Sequence, residues 1–444
     1  MATKNDLIEA QTFSRRRLLT AFVSGAPGGK ELEPTAPLRA VIAAVALTAA
    51  VVLVGVFWGL IRPGLPEGWD NGKLIVVTDT GARFITQDGV LHPVINTASA
   101  RLLLPASDFQ VISTDQANLD GVSLGTTLGI VGAPDDLPAA DRLQNAGWSA
   151  CVADDAALDV RIGETPARAV TGNAVVVESD GDRFVIDGER SYAVGDDGSD
   201  AILRAAGITA LDPVEVPADW LNLFTPGTAL APVAVADAGT AVAGTDLLAG
   251  DVVHLQGTPE SDRFLVQSDG TLAALTPLAW QLYQLGGGRS GSVEEVSQAD
   301  VAGLETTARP AGGADWPVDG FRSIDAEERA CALLADDGAQ VRTVLATQPV
   351  ADAVTAGVHV DADAGALVRA GGRGDQSTGL VTLVDATGTA YALPGATEET
   401  VNRLGYELDD IGRAGDVWID LFGTGPALTE GAAGLSPTTG TPAG

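Results

Sequence analysis

Metal-ligating side chains are scarce in this chain of 444 residues, which has three histidines and two cysteines. Zinc sites need such residues in clusters. His92, His254 and His359 are widely spaced and Cys151 and Cys331 stand apart, so no ligand set can be read. Basic charge is also in deficit, with 26 Lys/Arg against 59 Asp/Glu and a net charge of −33. Nucleic-acid binding needs a basic footprint, and that class is excluded. No G-x-x-x-x-G-K-[ST] occurs, so no P-loop cradles a nucleotide. The nearest glycine-rich run, Gly286-Gly287-Gly288-Arg289-Ser290-Gly291, reads as a flexible turn, and Arg373-Gly374-Asp375 as a chance tripeptide in an acidic loop.

One G-x-S-x-G is present, Gly121-Val122-Ser123-Leu124-Gly125. A nucleophile elbow needs an apolar strand before the serine and a helix after it. Here polar Asp115–Asp120 precedes and Thr126–Gly132 reads as strand and turn, which makes Ser123 a loop residue. His92, in Leu91-His92-Pro93, reads as a structural histidine at a strand end. The plentiful acids single out no catalytic pair. No catalytic, cofactor-binding or metal-binding residue is assigned.

What the chain does have is Ala40–Ile61, 22 uncharged residues between Arg39 and Arg62. As a helix it would be about 33 Å long, against a bilayer core of about 30 Å. Phe57 and Trp58 stand near its far end, where aromatic side chains favour the interface. Six of the 26 Lys/Arg and four of the 59 acids precede it, which leaves a net −35 on the 383 residues from Arg62 onward. The positive-inside rule then puts the N-terminus in the cytoplasm and the large part outside. Cleavage by signal peptidase is the alternative, but the apolar run exceeds an h-region and ends without an A-x-A site. Ser14-Arg15-Arg16-Arg17-Leu18-Leu19 resembles a twin-arginine signal only superficially, because its apolar region begins some twenty residues later. Arg15, Arg16, Arg17 and Arg39 read instead as membrane-proximal basic residues near anionic lipid, the first three in a short interfacial helix over Gln11–Ser24.

Both cysteines fall in the outer part, where an even count in an oxidising compartment reads as a Cys151–Cys331 disulfide. Two separate buried thiols are the alternative. Only Lys73 represents lysine there. Four segments share a pattern of strand, Asp/Gly turn, strand, short helix and return strand, starting at Leu74, Ala174, Asp262 and Gly379. Trp220–Leu230 and Trp418–Leu428 agree at six of eleven positions without a gap, and Gly207 and Gly405 keep the same offset of 198. Internal duplication follows.

The fold class expected is α+β: one N-terminal transmembrane helix, then four β-rich repeats around a disulfide-linked central β domain. The boundaries are a cytoplasmic segment 1–37, a span 38–61 and a linker 62–73. Repeats lie at 74–135, 173–231, 261–308 and 377–428, and central parts at 136–172, 232–260 and 309–376. A low-complexity, disordered tail occupies 429–444.

The ordered motifs resemble those of the EccB family of actinobacterial type VII secretion. Gln11, Arg15, Arg16, Leu18, Ala21, Phe22 and Val23 match its pattern before the span. Asp88-Gly89-Val90-Leu91-His92-Pro93-Val94-Ile95-Asn96 and Ser99-Ala100-Arg101-Leu102 match after it. Gly129-Ile130-Val131-Gly132-Ala133-Pro134 differs from the family only at Val131, where a proline is usual. Trp148-Ser149-Ala150-Cys151, Asp269-Gly270 with Thr276-Pro277-Leu278, Leu404-Gly405-Tyr406 and Gly425-Pro426-Ala427-Leu428 complete the series. The resemblance implies the same anatomy, assembly with EccC, EccD and EccE, contact with the mycosin protease, and export of WXG100-type cargo. Nucleotide hydrolysis is attributed to the family, but no phosphate-binding loop is recognisable here. A membrane-anchored ATPase or hydrolase, with ATP its only cofactor, and a cell-wall-binding module are the rival functions.

Overall fold

The computed structural model describes residues 3–24, 37–60, 65–165, 167–196, 198–208, 213–287, 292–338, 340–352, 354–373 and 375–437. The chain divides into two units, Met1–Pro66 and Glu67–Gly444.

Among the described residues the first unit has two helices. Helix α1 (Lys4–Ser24) starts where the Asp6 carboxylate accepts from the amide and hydroxyl of Thr3. Helix α2 (Pro37–Leu60) opens on proline, whose missing N–H is unneeded in a first turn. Its Leu38–Val56 stretch has a mean hydropathy of 2.4 and buries nothing within the chain. Leu, Val and Ile exposed over five turns are stable only in an apolar surrounding. The apolar stretch expected to 61 thus begins on a helix at Pro37 and is described to Leu60; Ile61 and much of the linker lie outside the described residues.

Among the described residues the second unit has five sheets. Four have five strands and one strand order: an antiparallel three-stranded meander, with a parallel strand added at each edge. In the first sheet the meander is Leu74–Val77, Arg83–Gln87 and Val90–Pro93. Asp88 and Gly89, both at positive φ, make the two-residue turn that suits the right-handed strand twist. Helix α3 (Thr97–Leu103), capped by the Asn96 side chain, then returns the chain to Val111–Thr114 beside the first strand. The second sheet repeats this with Ala174–Ser179, Asp182–Asp187, Arg190–Ala193, helix α4 (Ser199–Ala205) and Val214–Glu215. Helix α5 (Ala218–Leu221) follows and carries Trp220. The third sheet uses Val252–Leu255, Arg263–Val266, Thr271–Leu275, helix α6 (Pro277–Leu285) and Val293–Val296. The fourth uses Ala366–Gly372, Asp375–Val384, Thr389–Leu393, helix α7 (Glu398–Leu404), Gly412–Gly415 and helix α8 (Asp416–Ile419), with Trp418. Helix α9 (Glu430–Ala433) closes the described chain.

The central sheet has six strands, in the order Gly357–Val360, Leu158–Ile162, Ser149–Val152, Glu328–Asp336, Val341–Pro349 and Arg168–Ala169. Three sequence boundaries change. Val252–Leu255, expected in the central part 232–260, is the first strand of the third sheet. Ala366–Gly372, expected in 309–376, begins the fourth. Each meander needs an apolar strand ahead of its hairpin, and these supply it. Residues 309–324 belong to no central strand either; they form a strap whose Trp316 and Phe321 are buried against the second and third sheets. The tail also starts later than expected. Thr429 caps α9, Ala433 is buried, and the Leu435 carbonyl accepts from Gly129 N–H.

Side-chain alternation fixes the layering. One face of the second sheet (Val175, Val177, Ile186) and one of the fourth (Ala366, Val368, Val384) pack on the central sheet. The other faces differ: Val176 and Val185 meet the third sheet with α4 and α6, while Leu367 and Leu383 meet α3, α7 and α9 near the first.

Candidate anchoring and assembly site

The centre of the second unit is a covalent link between antiparallel strands. Cys151 and Cys331 are register partners, their Cα atoms 4.0 Å apart, and are joined as a disulfide. Both sulfurs are buried among Ala167, Ala346 and Leu333. Sequence separation is 180, so the bond closes a segment containing the whole second and third sheets. In the chain-entropy model such closure removes roughly 5 kcal/mol of denatured-state entropy. Beside Cys151, buried Asp159 accepts both Nε and Nη2 of Arg161 through Oδ2, at 3.1 and 2.9 Å.

Two tryptophans clamp the inner sheets to this centre. Trp220 Nε1 donates to the Ala150 carbonyl at 2.9 Å, and Trp418 Nε1 donates to the Thr343 hydroxyl at 2.8 Å. Trp148 meets Trp418 edge-on, with ring centroids 6.2 Å apart. The eleven-residue match in the sequence therefore marks a packing device. Its tryptophans stand on short helices, where a return strand was expected.

Two further devices escaped sequence reasoning. Arg101 of α3 donates to the Leu404 carbonyl at 3.2 Å, and Arg403 of α7 donates to the Leu102 carbonyl at 2.7 Å. Each arginine thus neutralises the other helix's C-terminal end. On the opposite side, Asp315 of the strap accepts from Thr228 N–H at 3.0 Å and pairs with Arg190 at 3.3 Å. Burial alone would raise its pKa, but these partners hold the carboxyl below its ordinary value. Tyr192 donates to the Asp315 carbonyl at 2.7 Å, and burial pushes its phenol up to about 12. An arginine just before the helix end, as in Ser99-Ala100-Arg101-Leu102 and Asn402-Arg403-Leu404, is the only sequence signal for the first device. For the strap there was none.

The residues weighed for chemistry are scattered. Ser123 is exposed on a two-residue strand beside Val90, and no helix follows it. His92 packs its ring on Gly125 and places Nδ1 3.2 Å from the Thr126 carbonyl. His254 lies on the third sheet, opposite Arg263 and Glu295. His359 Nε2 is 2.9 Å from the Thr355 carbonyl and 3.9 Å from Asp159. Arg373 donates to the Asn222 carbonyl, which ties the hairpin of the fourth sheet to the end of α5. Residues 288–291 and Gly374 lie outside the described residues. Among the described residues no three His, Cys, Asp or Glu converge as a metal site. Arg15, Arg16 and Arg17 are exposed at mid-length on α1, with Leu18, Leu19 and Phe22 exposed beyond them, and Arg39 is exposed in the first turn of α2.

This geometry defines a class: a multi-sheet, disulfide-closed protein with, among the described residues, one candidate membrane span. The sequence profile of the family described as "Type VII secretion system ESX-1, transport TM domain B" (EccB) matches residues 1–439, and the chain belongs to that family. The "ESX-3 secretion system ATPase EccB3" of Mycolicibacterium smegmatis is 31% identical over 229 residues, covering 46% of this chain and 42% of that one. Its Mycobacterium tuberculosis namesake is 32% identical over 177 residues, covering 35% and 32%. The matched stretch thus spans less than half the length of these relatives. A chain of an intact ESX-5 inner membrane complex superposes with a TM-score of 0.67 at 22% identity, covering all of this chain and 98% of that one. A chain of an EccB3 dimer from the ESX-3 core complex gives 0.65 at 22%, covering 82% and 99%.

Proposed function

We propose that this protein is a structural, membrane-anchored subunit of a type VII secretion core complex that supports export of WXG100-type proteins. The observation that carries the reading is a disulfide-closed five-sheet unit following one exposed apolar helix, a fold shared along nearly the whole length of a chain from an ESX inner membrane complex. Its four like-ordered sheets are copies of one repeat around the central sheet. The basic N-terminal arm lies in the cytoplasm, with Arg15, Arg16, Arg17 and Arg39 near the anionic inner leaflet. The disulfide-bearing unit lies outside, where thiols oxidise. EccC, EccD, EccE and the mycosin protease are its partners. Its action is geometric: the span and arm pack among partner helices while the rigid outer unit docks neighbours.

Purification of the tagged full chain in gentle detergent tests this. Recovery in a very large membrane complex is expected; a lone monomer would overturn it. The second reading, an ATPase, rests on the printed names of the relatives. ATP turnover by the purified full chain at an ordinary enzyme rate, lost on a point substitution, would favour it over the structural role.

A further inference from the structure

The second strand of each of the first three meanders carries the same Arg-Phe pair near its start: Arg83-Phe84, Arg183-Phe184 and Arg263-Phe264. Pairing sets these arginines opposite Val76, Glu178 and His254 of the first strands. In the first sheet Arg83 pairs with Asp135 at 2.7 Å, and Asp135 also accepts from Thr97 N–H at the start of α3. In the second, Arg183 pairs with Asp200 in the first turn of α4 at 2.5 Å, and with Glu178 at 3.6 Å. Both arginines thus meet a carboxylate at the N-terminal end of their repeat's helix.

The third sheet lacks that acid. Helix α6 opens on Pro277 with no acidic residue in its first turn, and the residue opposite Arg263 is a histidine. Arg263 lies over Trp280 of α6 instead, its Cζ 5.2 Å from the ring centroid. Among the described residues Arg263 makes no ion pair, and its Nε and the Nδ1 of His254 are buried without a hydrogen-bond partner. Glu295, on the edge strand beyond His254, is exposed and pairs with neither. A ring face attracts the guanidinium's plane but leaves its N–H edge unmet, and an unmet charged donor is costly. Cβ atoms of paired residues stand about 5 Å apart, so one carboxylate can accept from both nitrogens when His254 carries its proton on Nδ1.

We propose that Arg263, His254 and Trp280 form a docking site for an aspartate or glutamate side chain of a neighbouring protein subunit. The ligand class follows from the repeat, because the same arginine position takes a carboxylate twice within this chain. A free small acid would be held poorly, since a half-exposed ion pair in water gains little. A subunit closing over Trp280 excludes that water and strengthens the pair. The inference rests on the complex-subunit reading given above. It adds the place on the outer unit where a neighbour docks and the residue type it presents.

The test uses the tagged full chain in gentle detergent. Arg263→Met removes the charge and keeps an aliphatic stem on Trp280. Its melting temperature should hold or rise, because no internal partner is lost, while recovery of neighbouring subunits should fall about tenfold. A lowered melting temperature would give Arg263 an internal role and overturn the assignment. Cross-linking then identifies the carboxylate. In the Lys73→Arg/Arg263→Lys variant, position 263 carries the only lysine amine after the span. Carbodiimide should join it as an amide to an aspartate or glutamate of another polypeptide, with isotope-mixed preparations separating a second copy from the same molecule. Cross-links confined to the same molecule, Glu295 included, or none at all, would overturn the proposal. An intact complex with Arg263→Met defeats only this inference, whereas a lone monomer of the native chain defeats the subunit reading itself.

Discussion

In the second sheet Trp220 donates to a main-chain carbonyl and packs on its own Phe224, their centroids 4.9 Å apart. In the fourth, Trp418 donates to a side-chain hydroxyl and packs on Trp148 of the central domain. Both indoles are fully buried, 198 positions apart, in the same cluster. Their outer neighbours are held by opposite charge types: Arg101 and Arg403 tie the first sheet to the fourth, and Asp315 ties the third to the second through the strap. The inner contacts are alike and the outer ones are not. The two sheets meet the shared centre in the same way, while each outer junction has its own polar fastening.

The largest expected effect tests the likeness of the tryptophans. Trp220→Ala and Trp418→Ala should each cost about 3–5 kcal/mol by denaturant unfolding of the full chain. Each substitution also removes a ring contact worth about 1 kcal/mol beyond burial, with Phe224 for Trp220 and with Trp148 for Trp418, so the two losses should agree within about 1 kcal/mol. A much larger loss at one site would break the likeness of the two clamps. Next comes the disulfide, which encloses the second and third sheets and leaves the first and fourth outside the loop. Reduction should lower stability by about 2–5 kcal/mol. Hydrogen exchange should then rise more in residues 174–306 than in 366–424. A uniform rise, or no change in melting temperature, would contradict a loop-specific role.

Much of this anatomy was legible in the residues because local chemistry dictated it. Twenty-two uncharged residues can only be satisfied by lipid or a large core. Asp-Gly pairs at positive φ closed the hairpins they announced. What stayed hidden was whatever depends on distant partners. Val252–Leu255 has no Asp-Gly turn directly ahead of it, so its membership of the third sheet shows only in pairing with Arg263–Val266. Trp316 and Phe321 sit in a Pro/Gly-rich stretch without periodicity, and nothing local reveals that they span two sheets. Likewise Thr429-Glu430 looked like low-complexity tail until Ala433 found a buried place.

The outer junctions can be told apart by acid. Asp315 has a folded pKa below its ordinary value, so its stabilisation is complete above the usual carboxylate range and is lost as pH falls through the lowered value. Half-buried Asp187 is shifted the other way by desolvation, which gives a slope of opposite sign; comparing the native chain with Asp315→Asn isolates the strap. That substitution should cost about 1 kcal/mol at neutral pH and progressively less at lower pH. Arg101 donates to the Leu404 carbonyl, which has no proton to gain, so Arg101→Met should cost about 2 kcal/mol with little change across the same window. Matching pH profiles for the two variants would erase the distinction between the junctions.

The smallest effect probes the hairpin between Ser149–Val152 and Leu158–Ile162, whose turn packs beside Val214–Glu215 of the second sheet. Asp155 and Ala156 there both adopt left-handed φ, 57° and 56°. Aspartate tolerates that region through its short polar side chain; alanine pays about 1 kcal/mol in steric crowding at Cβ. Ala156→Gly relieves the crowding but lets the unfolded chain gain conformational freedom, worth about 0.5–1 kcal/mol in the other direction. The expected net gain is therefore only a few tenths of a kcal/mol, read as a small rise in melting temperature. Ala156→Val should be destabilising by more than 1 kcal/mol, because a β-branched side chain is strained further at positive φ. If valine were tolerated there, the turn would not be held left-handed, and this side of the central sheet would be looser than its counterpart under the fourth.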